Sequence, residues 1–430
     1  MKKRSIQIYW WQIVGTLIFL SGLVYRRRDI GMIQENLLDP SALYRVVLMG
    51  LVFWLLLARL IIKRLSWFRS LLRGIVGLLT GYVMICMLSS LWSVNPWWTF
   101  YKSIEYFVDV LFLASVINSI RTIEQLKALF DWLMILTGLL LLTVWIGVFL
   151  LPGEAIKYGI GLLGIQILGV FPAVAANSVG EIGAALAIFT FARSQLPMIH
   201  KWFYRIIFVF ATLSLVFSQS RSPLMGFVVA IPLMLFLNKR IGILGFIIVL
   251  FVVLLSFTHA EDLFFEFFRR GQTPEMFESL SGRRTYWDQG FEVLRQQPLI
   301  GYGAYAGGRF YVLGELLRLD EVSSVHNTWV EILLGTGILG FVFMSAAVLK
   351  TWFVLLNLKL NKKTASTLYS LRATSIGILT LLFVRSFFSS GPFIWHSPLL
   401  FFIVVTFAEI LDRQSKRRRE IVAPNLVLKA

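Results

Sequence analysis

The sequence predicts an all-α polytopic membrane protein of about 12 transmembrane helices with one long outer loop, since a span plus its loop takes roughly 30 residues. Three observations carry that prediction. Hydrophobic residues make up 57% of the 430-residue chain and charged residues only 15%, whereas a soluble domain is closer to half apolar and a quarter charged. Apolar runs recur along the whole chain, and alternate connections between them are rich in Lys and Arg.

In order, the apolar runs place spans near 10–25, 44–62, 72–91, 104–118, 129–151, 174–192, 204–218, 222–237, 241–258, 327–356, 368–390 and 395–411. A helix needs roughly 20 apolar residues to cross the hydrocarbon core, and several of these are shorter. Very tight turns at 218–222 and 238–241 separate neighbouring runs. The chain therefore divides into a block of spans over 1–258, a large outer loop with interfacial helices over 259–326, further spans over 327–411 and a basic tail over 412–430.

A net charge of +18 raises the possibility of a nucleic-acid partner, but none is expected. The cations sit in short runs beside apolar segments, such as Arg417, Arg418 and Arg419, where cytoplasmic loops of membrane proteins keep positive charge. With Lys2, Lys3 and Arg4 in the cytoplasm, every second loop carries the basic bias and the tail is cytoplasmic too. Arg26, Arg27 and Arg28 break the pattern, partly offset by Asp29, Glu35 and Asp39. The single cysteine, Cys86, excludes an intramolecular disulfide and a multi-cysteine metal site. No small-residue cleavage site follows the first apolar run, so that run is expected to be a retained span.

The long loop holds the aromatic run Phe264, Phe265, Phe267 and Phe268, followed by Arg269 and Arg270. Such a segment either lies along the membrane surface, with its rings at the acyl boundary, or packs on the bundle. The outer side also retains Arg221, Arg283, Arg284, Arg295, Arg309 and Arg318 against the topological bias. A guanidinium fork suits phosphate oxygens, while local pairing with acids such as Asp288, Glu292 and Glu315 is the plainer explanation for most of them.

Three stretches stand apart. Ser218-Gln219-Ser220-Arg221 is a polar knot between apolar runs, and an arginine there either snorkels or serves a site. His326-Asn327 opens the long run from Thr328, with Glu331 about one turn deeper. His326 can act there as a base or a phosphate contact, and Asn327 can cap the helix. Between them lie Gly282-Arg283-Arg284-Thr285-Tyr286-Trp287 and Pro298-Leu299-Ile300-Gly301-Tyr302-Gly303. The glycines are not followed by Gly-Lys-Ser/Thr, so no nucleotide P-loop is present, and neither HExxH nor Asp-x-Asp offers a metal site.

In this order, Ser-x-Ser-Arg at 218–221, Ser-Gly-Arg-x-x-x-Trp at 281–287, Pro-Leu-x-Gly-x-Gly at 298–303, and His326-Asn327 with Glu331, Gly337 and Gly340 resemble the O-antigen ligase and polymerase superfamily of bacterial envelope enzymes. The resemblance covers about 190–345. It implies a GT-C-like helical bundle in the bacterial inner membrane, with the long loop and the active face periplasmic. It further implies a metal-independent glycosyltransferase with no cofactor, whose donor is an undecaprenyl-pyrophosphate-linked glycan and whose acceptor is a glycan or a lipid A core. The essential residues implied are Arg221, Arg283 and His326, with Arg284, Asn327, Glu331 and Asn177 as substrate-binding candidates; Asn177-Ser178-Val179-Gly180 resembles a further family element.

Two other classes compete. Some superfamily members are related to bicarbonate transport, and Asp109, Glu181 and Arg385 could line a path, or simply form intramembrane pairs that fix helix packing. A transporter should gather its polar residues near mid-membrane, often on broken helices. A scaffold without turnover leaves the one-sided polar set unexplained.

Overall fold

A computed structural model describes residues 8–25, 40–63, 68–196, 201–237, 242, 282–319, 322, 324–358, 366–394 and 398–422. The described residues are mostly helical. In order come α1 (Trp10–Ser21), α2 (Pro40–Lys63), α3 (Phe68–Leu71), α4 (Gly74–Leu88) with a 3-10 turn (Ser89–Leu91), α5 (Pro96–Ser119), α6 (Ile123–Leu150) and α7 (Pro152–Ala155). A two-stranded hairpin follows, β1 (Ile156–Tyr158) and β2 (Ile165–Ile167). Then come α8 (Ala176–Ser194), α9 (Lys201–Phe217), α10 (Arg221–Leu237), α11 (Arg283–Leu294), a π-helix (Gly307–Leu316), α12 (Thr328–Asn357), α13 (Ser366–Ser386) and α14 (Leu399–Val422).

Each expected span other than 241–258 coincides with a helix; 241–258 lies outside the described residues save Gly242. Among the described residues, five helices are long and apolar enough to cross a membrane: α2, α4 with its 3-10 turn, α6, α12 and α13. The shorter α1 and α10 are apolar as well. Side chains such as Trp54, Phe353 and Ile135 are exposed on the outside of the bundle, as a lipid-facing surface requires.

Helix α5 starts earlier than the apolar run suggests because its first turns hide charge. Asn95 accepts from Trp98 N at 3.2 Å and Pro96 takes the first helical position, both standard starts. Lys102 then pairs with Glu105 at 2.7 Å, and Arg45 of α2 closes on the same carboxylate. Hydropathy marks such residues as a boundary, whereas an ion-paired set can sit inside a helix bundle.

The two ends of the bundle differ. At one end Arg413 pairs with Glu409 at 2.9 Å, and Lys127 and Arg193 pair with Asp131 at 2.7 and 2.8 Å. The other end gathers the 3-10 turn, the hairpin, the α9–α10 turn, residues 282–327 and residues 387–394. There Val94 N donates to Tyr302 O, Gln166 Nε2 to Ser218 O, and Arg283 Nη1 to Phe388 O.

Helix α12 is broken at Gly337, whose φ is 62°. The break exposes backbone groups that must find partners, and the 298–303 stretch supplies them. Tyr302 N and Gly303 N donate to Leu334 O (2.8 Å) and Gly335 O (2.9 Å), while Ile338 N donates to Pro298 O (2.9 Å). A Cβ at Gly337 would run into the Leu299 carbonyl, so this glycine is required twice over, by φ and by space. Past that contact, Ala304, Tyr305, Ala306 and Phe310 enter the main apolar core. The described second half of the long loop therefore packs into the bundle end; the aromatic run 264–268 lies outside the described residues.

Candidate active site

The Ser218–Arg221 knot is the joint between α9 and α10. Gln219 adopts φ 47° there, and Ser220 Oγ donates to Asn177 Oδ1. Gly180, one turn along α8, lets the knot sit directly on that helix: a Cβ there would come within 2.7 Å of Ser218 Oγ. Asn177 and Gly180 thus form the seat of the turn that presents Arg221, itself half-buried at the first position of α10. Glu181, the next residue on α8, forms an ion pair with Arg385 of α13, whose side chain is only 3% exposed.

The second half is built from α11 and the start of α12. Gly282, at φ 83°, turns the chain into α11, and Arg283 Nη1 donates to Phe388 O at 3.1 Å. Trp287 Nε1 donates to Val325 O at 2.9 Å, which ties α11 to the residue before His326. His326 itself sits at φ 57°, a conformation uncommon for a side-chain-bearing residue. Burial, and then the nearby positive charge of Arg283, push its imidazole down to about 4. The ring is therefore neutral at neutral pH.

Asn327 Oδ1 accepts from Trp329 N (3.0 Å) and Val330 N (3.2 Å), which makes it the cap of α12. Glu331 is 2% exposed, with Ser390 Oγ at 3.5 Å and with one carboxylate oxygen lacking a hydrogen-bond partner among the described residues. A buried acid with an unfilled acceptor commonly marks function. Arg309, 5% exposed, lies over the Trp98 ring and near enough to act electrostatically on Glu331. Arg284 points elsewhere: its side chain is exposed, 4.0 Å from Asp288.

The two halves meet on one segment that sequence reading treated as the tail of a span. Helix α13 ends at Ser386, and 387–394 is irregular. Arg385 holds Glu181 on one side. On the other, Ser386 Oγ accepts from Trp329 Nε1 (2.8 Å), Phe388 O from Arg283, and Ser389 O from Thr328 Oγ1 (2.6 Å). The Ser389-Ser390-Gly391-Pro392 run was the available signal, since such residues favour turns over helix. Helix α10 runs beside α13 through Gly226, where a Cβ would touch the Leu381 backbone. Arg221, Arg283 and His326 thus belong to elements fastened to the same end of the same helix.

Residues 206–345 match the O-antigen ligase family. The matched segment runs from within α9 through the broken α12, so it contains Arg221, Arg283, His326, Asn327 and Glu331; Asn177, Glu181 and Arg385 lie outside it. The chain is also similar to the exopolysaccharide production protein ExoQ of Rhizobium meliloti (strain 1021), at 30% identity over 119 residues. That alignment covers 25% of this chain and 26% of the relative's length.

Proposed function

We propose that the protein transfers a glycan from an undecaprenyl-pyrophosphate carrier to an acceptor hydroxyl in surface-polysaccharide synthesis. The acceptor is a second lipid-linked glycan or a lipid A core. The bundle sits in the inner membrane, with both termini cytoplasmic and the site on the periplasmic face. The observation that carries this reading is the half-buried His326 near Arg283, at a bundle end shared with Arg221. The family match and the exopolysaccharide relative support the same chemistry.

In the step itself, His326 accepts the proton of the acceptor hydroxyl as its oxygen bonds to the anomeric carbon. The bond from that carbon to the pyrophosphate oxygen breaks, and the lipid pyrophosphate leaves with the electron pair. Negative charge grows on the phosphate oxygens, where Arg221 and Arg283 stabilise it in a site of low dielectric. A neutral imidazole suits the base role, and an imidazolium would not serve it. Asn177 orients the Arg221 turn.

A transporter reading draws on the broken α12. Against it, the backbone groups freed by the break are taken up by 298–303, and Glu181 and Arg385 neutralise one another. The test is turnover by purified protein in nanodiscs with a pyrophosphate-linked oligosaccharide, offering a lipid A core or a second donor as acceptor. Glycan transfer that disappears in His326→Ala supports the proposal; flux of a small anion through proteoliposomes without glycan transfer would overturn it.

A further inference from the structure

The β1–β2 hairpin clasps the Ser218–Arg221 knot while displaying an apolar tip away from it. Gln219 Nε2 donates to the carbonyls of Ile160 (2.5 Å) and Ile165, and Gln166 Nε2 donates to Ser218 O at 2.8 Å. The tip turns through three left-handed glycines, Gly159, Gly161 and Gly164. Gly161 leaves no room for a Cβ beside Gln219. Between and beside these glycines Tyr158, Leu162 and Leu163 are exposed, and Lys157 in the middle of β1 is exposed too.

Nothing in the clasp requires apolar residues at the tip, because the Gln219 contacts are all to backbone. A polar loop would serve as well in water, and exposed apolar groups clustered on one tip mark an interaction surface. Only the short α7 separates the hairpin from α6, and the last turns of α6 expose Ile146, Phe149 and Leu150. Helix α6 is one of the helices long and apolar enough to cross a membrane. The apolar tip is thus continuous with a lipid-facing flank, and carries an aromatic hydroxyl and an ammonium, the groups that settle at the headgroup level.

We infer that the tip over residues 158–163 inserts into the acyl–headgroup boundary of the leaflet it faces. Its partner is the lipid surface itself, and the clasp through Gln219 holds the Arg221 turn at the level of lipid phosphates. This goes beyond the transfer reaction and does not depend on it.

The buried Cys86 leaves introduced thiols as the reactive ones. Nitroxide labels at Leu163→Cys and, separately, Leu162→Cys are placed in vesicles of phosphatidylethanolamine and phosphatidylglycerol. Collision with oxygen, which concentrates in lipid, is compared with collision with a water-soluble nickel chelate. Val209→Cys on the exposed apolar face of α9 gives the lipid reference and Gln296→Cys, exposed after α11, the water reference. Oxygen collisions at the tip matching the Val209 reference support insertion. Nickel collisions matching the Gln296 reference, or shielding from both reagents as under a protein partner, overturn it. Should one variant fail to fold, the other label decides.

Discussion

The two ends of the bundle hold their most informative cations differently. At the end holding Arg413, Lys127 and Arg193, each cation meets a carboxylate within 3 Å or so, on Glu409 or Asp131. At the end holding the candidate site, Arg283 donates to a backbone carbonyl, and His326 is held neutral by burial and by that arginine. A carboxylate cancels a cation, whereas a carbonyl orients a guanidinium without cancelling it. The first arrangement fastens helices through ion pairs; the second orients a guanidinium through a backbone carbonyl at the end of α13.

The sharpest way to break this contrast is to remove the site cations. Arg283→Ala and Arg221→Ala are each expected to lower transfer by about 10³-fold or more, the scale of losing one preorganised donor to developing charge, with unchanged membrane insertion. His326→Ala should cost about 10²- to 10⁴-fold, the usual contribution of a general base. Arg283→Lys should recover little, because an ammonium lacks the planar fork. Wild-type rates in a purified assay for these variants would remove the distinction between the ends.

Next comes the pair that joins the halves. Glu181→Gln leaves the buried Arg385 charge alone, with about 3–5 kcal/mol of stability at stake, whereas Arg385→Gln leaves the partly exposed Glu181 and should cost less. Thermal unfolding in detergent should show the loss for each single change and partial recovery in the swapped variant carrying Glu181→Arg and Arg385→Glu. No recovery would mean that the pair does more than neutralise charge.

The pH dependence gives a subtler test. His326 is lowered to about 4 in the fold, against about 6.5 in an unfolded chain. Between those values the unfolded chain binds the proton and the folded one does not, so stability falls as pH drops through that window. For the same reason the acid limb of kcat/KM should lie nearer pH 4 than about 6.5. A limb at the ordinary histidine value would show that the ring is more solvated than its burial implies.

The smallest effects belong to cations outside the site. Lys127→Ala is expected to change stability by about 0–1 kcal/mol, as for a partly exposed pair, and to leave turnover intact. Arg284→Ala should change transfer less than about twofold, since its exposed side chain reaches only toward Asp288. A large loss at Arg284 would return it to the site. Asn327→Ala should cost about 1 kcal/mol through loss of the α12 cap.

Much of the fold was legible along the chain because spans are a local property: a run of apolar residues forms a helix in lipid whatever its neighbours. The limits of this reading show where neighbours matter. Helix α5 begins early because Glu105 pairs with both Lys102 and Arg45 inside the bundle. Helix α13 ended early because the carbonyls of 388 and 389 are drawn to Arg283 and Thr328. The candidate residues of the ordered motifs are legible in the sequence as candidates, because each sits in a short local pattern. The seat under them is not: local pattern offers Glu181 and Arg385 as transport candidates and puts Ser386, Ser389 and Ser390 at the end of an expected span.

Sequence alone thus settled where the apolar helices run, where positive charge accumulates and which short motifs deserve attention, since each depends on residues close together in the chain. Only the packed structure decided which role the glycines of 298–303 play and which helix unites the motifs. A break at Gly337 needs partners from 35 or so residues upstream, and Arg283 finds Phe388 across |i−j| = 105. Contacts at that separation exist only once the bundle has closed, because burial and hydrogen-bond satisfaction are settled among elements and not along a segment.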